Sequence, residues 1–428
     1  VFIIEVLSLN KKRNRIQFLF LYGNMWTSAI FLALFVGGTI GAPRSLPPLQ
    51  SLGKSTTEFA FDFYRHLIAA DKNTNVFVSP ISISTVLSMT MLGARNATHT
   101  QMQDALCVGD LGDMVHELYQ EFGNRMDKAN KNLTLKAANR LFGQTGFQFL
   151  KQYLDDSLRY YNSPLKQLNF NTDPEGSRKY INNWVFKETD NKIKNLLPPK
   201  SINPSTKLVL TNAIYFQGNW HYRFNKTLTK PNDFFLMGNV NKKVNVSMMS
   251  LHTSLWRGYI PEMSCQIVEL PYSGNNTAMY ILLPDDLDGI GKIETHLKNT
   301  SIIEEGIKRS ENRSITLLMP RFNLTQQYDL RSTLSAMGMR DLFTPMADLS
   351  GIDGRRDLFI SSFVHKAWVD VNENGTSAAG ATAAITPTGI APFKVDRPFI
   401  FFIRDRMSGA ILFLGKIMCP PGFENQCK

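Results

Sequence analysis

The sequence is short of the residues that most enzymes and metalloproteins rely on. Its 428 residues hold four cysteines and seven histidines, with no C-x-x-C spacing, no H-E-x-x-H and no G-x-S-x-G elbow. A metal centre and a secreted hydrolase are therefore both unsupported, and the chain is not expected to be an enzyme. Four cysteines are also too few for a disulfide scaffold. Cys419 and Cys427 are spaced to close a small C-terminal loop, while Cys107 and Cys265 read as buried thiols. No Pro/Gly/Ser-rich linker, charge block or repeat divides residues 55–418. A body that exceeds the roughly 250–300 residues of one simple core then reads as a single large domain with more than one sheet. A basic-aromatic motif is missing too, which leaves nucleic-acid binding without support.

The composition, 43% hydrophobic and 19% charged, is that of a soluble globular protein. Residues 25–42, M-W-T-S-A-I-F-L-A-L-F-V-G-G-T-I-G-A, pair a short apolar run with small residues and read as a secretory signal peptide cleaved near Ala42. The competing reading is a membrane anchor over Ile16–Ile40, but Asn24, Thr27 and Ser28 interrupt it and the run from Ala29 is too short to span a bilayer. Residues 1–24 read as an extended n-region or an artefact of the gene model. Cleavage removes Lys11, Lys12, Arg13, Arg15 and Glu5 and takes the net charge from +11 to +8. That charge is scattered, so no cofactor is expected, and a heparin-like glycosaminoglycan would be attracted only weakly and at long range. Asn96, Asn132, Asn225, Asn245, Asn275, Asn299, Asn312 and Asn323 head Asn-x-Ser/Thr sequons, as expected of a secreted, extracellular glycoprotein. Asn374 heads a ninth and is expected to stay bare.

Helices are expected over 55–70, from Ser79-Pro80 onward, and over 173–190 with a left-handed cap at Asn191. Strand candidates are Leu133–Phe142, Lys207–Phe216, Gln266–Pro271, Thr277–Leu283, Ser314–Arg321, Phe359–Val371, Phe399–Arg404 and Ile411–Ile417. Helices dominate the first half and strands the second, an α+β arrangement rather than an alternating one. Residues 375–384, G-T-S-A-A-G-A-T-A-A, carry no charge, no aromatic and nothing larger than threonine. Period two puts Thr376, Ala378, Gly380 and Thr382 on one face, as a strand threading a crowded sheet would require. A flexible Ala/Gly linker is the other reading.

Five segments in this order and spacing resemble the serpin family, and the likeness covers nearly all of 55–421. They are N-V-F-V-S-P-I-S-I at 75–83, T-N-A-I-Y-F-Q-G-N-W at 211–220, V-H-K-A-W-V-D-V-N-E-N-G-T at 364–376, D-R-P-F-I-F-F-I-R-D at 396–405 and F-L-G-K-I at 413–417. The resemblance implies a serpin fold of about nine helices and three sheets within 43–421, a tail at 422–428, and a reactive-centre loop over about 373–396. It also implies the family's known mechanism. A serine protease attacks the loop, and the acyl-enzyme is trapped as the loop enters the main sheet as a new strand. By the same likeness, Glu373, Gly375, Thr376, Ala378, Ala379, Gly380, Ala381 and Thr382 form the hinge, with Arg321 as the ion-pair partner of Glu373. Ser79, Ser82, Asn212 and His365 form the shutter beneath the sheet, and Trp220 the breach at its top, although a plain core aromatic is an equal reading for Trp220.

Departures from the family pattern bear on the target. Asn374 places a sequon inside the hinge, Ser377 stands where the family often has Glu, and the loop is slightly short. Counting forward from Gly375 puts the scissile bond after Gly389, and counting back from Arg397-Pro398 puts it nearer Pro387 or Thr388. The specificity residue is therefore expected among Thr388, Gly389 and Ile390. No Arg or Lys occurs between Gly375 and Phe393, so an elastase-like protease is expected in preference to a trypsin-like one. The expected species is a monomeric secreted suicide substrate. The alternative is a non-inhibitory serpin acting as ligand carrier, chaperone or storage protein, which Pro387, the short loop and the Asn374 sequon favour.

Overall fold

The computed structural model describes residues 48–129, 133–373 and 391–427. Among them are ten α-helices and fourteen strands, the α+β mixture expected from the sequence. The first helix, Pro48–Ile68, starts before the expected Ser55 because Leu52 already belongs to the stripe of Phe59, Phe63 and Ile68 that faces the core. The helix Pro80–Met91 buries every residue except Thr85, which makes it the central helix that its apolar sequence suggested. Proline opens it at the first position, where a missing N–H costs nothing. In the helix Pro174–Glu188, Asp173 Oδ1 accepts the Gly176 N–H at 2.9 Å as an N-cap. Two residues, Asp190 (φ 47°) and Asn191 (φ 64°), take the left-handed turn beyond its end.

The strands lie in two ladders. The five-stranded sheet has the order β10 (Phe322–Asp329), β11 (Ile360–Val371), β4 (Leu208–Gly218), β2 (Leu133–Gln144) and β3 (Lys166–Leu168). The other sheet runs β1 (Val76–Val78), β14 (Ile411–Ile417), β13 (Phe399–Asp405), β8 (Thr277–Pro284), β7 (Cys265–Pro271), β6 (Lys243–Ile260), β9 (Glu311–Pro320) and β12 (Phe393–Lys394), with β5 (Lys230–Phe235) on β6. Two ladders appear instead of the three sheets expected, because β6 is a single strand of 18 residues that pairs with β5, β7 and β9 and so joins two regions. The expected strand Ser314–Arg321 starts earlier, at Glu311, and stops at Pro320. A separate strand, β10, follows Arg321 and pairs with β11.

The main core lies between the two sheets and the helices around them, with Phe77 stacked on Phe413 (5.3 Å) and Phe216 against the same ring. A second, smaller core of Phe142, Phe170, Ile181, Val185, Leu196, Leu197, Val209 and Val364 joins the helix Pro174–Glu188 to the five-stranded sheet. Cys419 and Cys427 form the small C-terminal disulfide loop, and Cys107 and Cys265 are free thiols, Cys265 buried and Cys107 half-buried. No helix of the described residues is long and apolar enough to cross a membrane.

Candidate functional site

In the middle of the five-stranded sheet, β4 and β11 run parallel and are directly paired, from Ile360 opposite Leu208 to Val369 opposite Phe216. All other long-strand neighbours in this sheet are antiparallel. Parallel pairs are slightly less stable per residue than antiparallel ones. A chain that reversed direction after β11 would therefore run antiparallel to both strands if it entered between them.

One polar row crosses this weak junction. Tyr328 faces His365, His365 faces Asn212, and Asn212 faces Asn139, so four adjacent strands each contribute one residue in register. His365 is fully buried. Its Nε2 accepts the Ser79 backbone N–H at 3.2 Å, and because that group can only donate, the ring proton sits on Nδ1 and is given to Asn212 Oδ1. Burial pushes the imidazole down to about 3, so the ring is neutral at physiological pH. Asn212 Nδ2 donates to Ser82 Oγ at 2.8 Å and to Asn139 Oδ1 at 2.7 Å. Ser79 does not cap the helix it precedes, since its hydroxyl donates to the Leu412 carbonyl of β14 at 2.7 Å. Ser79, Ser82, Asn212 and His365 are thus brought together as one satisfied buried network. Asn139 and Tyr328 belong to the same row and were not foreseen. The signal for Asn139 was a lone amide in the otherwise apolar and basic run L-T-L-K-A-A-N-R-L-F.

At the end of β11 the chain is anchored twice. The Trp220 indole N–H donates to the Asn372 carbonyl at 2.8 Å, and its ring stacks on Tyr272 with centroids 4.4 Å apart. Trp220 is therefore both a core aromatic and a tether for the residues that enter the loop. Glu373 is only 3% exposed and accepts the Thr229 hydroxyl at 2.8 Å. Arg321 lies on the outer side, with Nη1 3.8 Å from Glu373 Oε2. At that distance the Arg321 contact is a long ion pair, and the closer bond comes from Thr229, which sequence reasoning missed. On the far side of the loop, Lys394 lies in β12 and pairs with Asp396 at 3.3 Å, which commits it to the sheet. Gly375, Thr376, Ala378, Ala379, Gly380, Ala381, Thr382, Thr388, Gly389 and Ile390 lie outside the described residues, as do Asn132 and Asn374.

A long parallel pair, β4–β11, in the middle of the sheet, a buried polar row across it and a tethered strand end beside it form an arrangement in which a further antiparallel strand would fit. The chain matches the serpin (serine protease inhibitor) family over residues 54–420. It belongs to the serpin family. The leukocyte elastase inhibitor of Bos taurus is 41% identical over 381 residues, which cover 87% of this chain and all of that protein. Serpin B3 of Homo sapiens is 37% identical over 393 residues, again 87% of this chain and the whole of that protein. The crystal structure of uncleaved ovalbumin superposes with a TM-score of 0.81 at 31% identity, covering 86% of this chain and all of the other. Membership makes the protein a protease inhibitor by class and not an enzyme.

Proposed function

We propose that the chain is a secreted, extracellular, monomeric suicide-substrate inhibitor of an elastase-like serine protease. The observation that carries this reading is the closed parallel junction between β4 and β11. Insertion of one strand there would replace a single parallel ladder by two antiparallel ladders, each backbone hydrogen bond contributing about 0.5–1.5 kcal/mol net. Residues 375–384, just after Glu373 and Asn374, carry nothing larger than threonine, so they meet the steric demand of a crowded sheet. In this mechanism the protease serine attacks the scissile carbonyl, the amine half of the loop leaves, and the acyl-bearing half enters the sheet before water can reach the ester.

Target preference rests on the loop and on a relative. No cationic residue stands between Gly375 and Phe393 to fill a trypsin-like pocket, and Thr388, Gly389 and Ile390 suit a shallow apolar one. A relative 41% identical bears the name leukocyte elastase inhibitor. The secreted reading rests on residues 25–42 and on the sequons, and a heparin-like polyanion would act only through the scattered positive charge. Incubation with elastase-, chymotrypsin- and trypsin-like proteases, followed by denaturing gels, tests the reading. A covalent SDS-stable complex with the elastase-like enzyme is expected. Loop cleavage with no complex would sink it and would favour the non-inhibitory reading.

A further inference from the structure

Four tryptophans lie among the described residues, and three are occupied. Trp184 meets the Phe142 ring and the Arg140 guanidinium, Trp220 stacks on Tyr272, and Trp368 packs on Tyr215. Trp256 is 45% exposed on β6 and makes no ring or cation contact among the described residues. Its cross-strand neighbour on β9 is Asn312, in the antiparallel register Trp256 opposite Asn312 and Ser254 opposite Ser314. Directly opposed residues of an antiparallel pair share a face, with Cβ atoms about 4.5–5.5 Å apart. Asn312 heads the sequon Asn312-Arg313-Ser314, and all three residues are exposed.

The other described sequons lack this arrangement. Asn245 faces Asp233 and Asn323 faces Asp370 across their ladders, so each is opposed by a carboxylate. Asn96 spends its amide N–H on Asp348 at 2.7 Å. Asn225 and Asn299 use their side-chain oxygens to cap Thr227 and Ser301, and Asn275 accepts from Arg406. Asn312 is the described sequon that faces an indole.

We propose that Asn312 carries an N-linked glycan whose first sugar lays its apolar face on the Trp256 indole. The sugar's C–H face covers an aromatic surface that is otherwise left to water, and the contact adds to the stability of the β6–β9 pair. The transfer draws on a polyisoprenoid-pyrophosphate-linked oligosaccharide. The bond between Asn312 Nδ2 and the sugar's C1 forms, the C1–phosphate bond breaks, and the amide proton leaves with the lipid pyrophosphate. This inference rests on the secretory reading above.

Expression of the full chain in a secreting eukaryotic host, then peptide mass spectrometry with and without glycosidase, tests the site. Thermal midpoints of Trp256→Ala, Asn312→Gln and the double variant test the contact. Asn312 is expected to be glycosylated, and Trp256→Ala to lower the midpoint by about 2 °C more in the glycosylated protein than in the Asn312→Gln background. As a check that needs no substitution, trimming the glycans to their first sugar should keep that gain and complete removal should lose it. Glycans at other sequons with a bare Asn312 would overturn the proposal and leave secretion standing. No glycan at any sequon would overturn both. A glycosylated Asn312 with additive variant effects would overturn the stacking.

Discussion

His365 and Lys416 are both fully buried, and each depends on specific partners. His365 is held neutral because its Nε2 must accept a backbone N–H and burial penalises the imidazolium. Its folded value, about 3, lies below the ordinary 6.5, so the unfolded chain takes up the proton first as pH falls. Its contribution is therefore complete above pH 6.5 and drains at about 1.4 kcal/mol per unit from there towards pH 3. His365→Asn should flatten the acid limb of the stability curve relative to wild type. Parallel curves from pH 7 to pH 4 would contradict this account of the ring. Lys416 is fully buried, and its Nζ lies 2.9 Å from Glu294 Oε1 and donates to the Lys72 carbonyl at 2.7 Å, while the Tyr64 hydroxyl donates to the same Glu294 oxygen at 2.7 Å. Glu294→Val strands that ammonium and should cost about 3–5 kcal/mol. Denaturant unfolding measures the loss, and a cost under about 1 kcal/mol would show that Lys416 finds water instead.

At the scale of elements, legibility followed the strength of local patterning. The helix Pro80–Met91 and the strands β4, β8, β13 and β14 are apolar runs with clear punctuation, and their sequences marked them out. The strand β6 was not marked, because Asn245, Ser247 and Ser254 dilute an alternation that only pairing on both sides makes stable. Register was out of reach as well. Nothing local states that Asn139, Asn212, His365 and Tyr328 stand in one row, since that depends on how four distant strands align. The family resemblance supplied Asn212 and His365 as partners, whereas Asn139 and Thr229 emerged only from tertiary geometry. Burial also changes the weight of the hinge contact. Glu373 is buried and hydrogen-bonded to Thr229, so truncating Thr229 should loosen the loop base more than truncating the exposed Arg321.

At the scale of the molecule, the described sheet has five strands and its central pair is closed. The helix Pro174–Glu188 sits on that sheet through the second core, so an entering strand must displace packed Ile181 and Val185 as well as the polar row. On the proposed mechanism, the backbone ladder gained along the junction is to outweigh both barriers once the loop is cut. The unfolding midpoint of the intact chain, compared with that of the chain cut once within 385–390 by a non-target protease, tests this most directly. A cut chain that has gained a sixth strand should unfold at a much higher temperature, and Thr376→Arg, which would bury an unpaired charge, should abolish the rise. An unchanged midpoint in the wild-type cut chain would contradict the account.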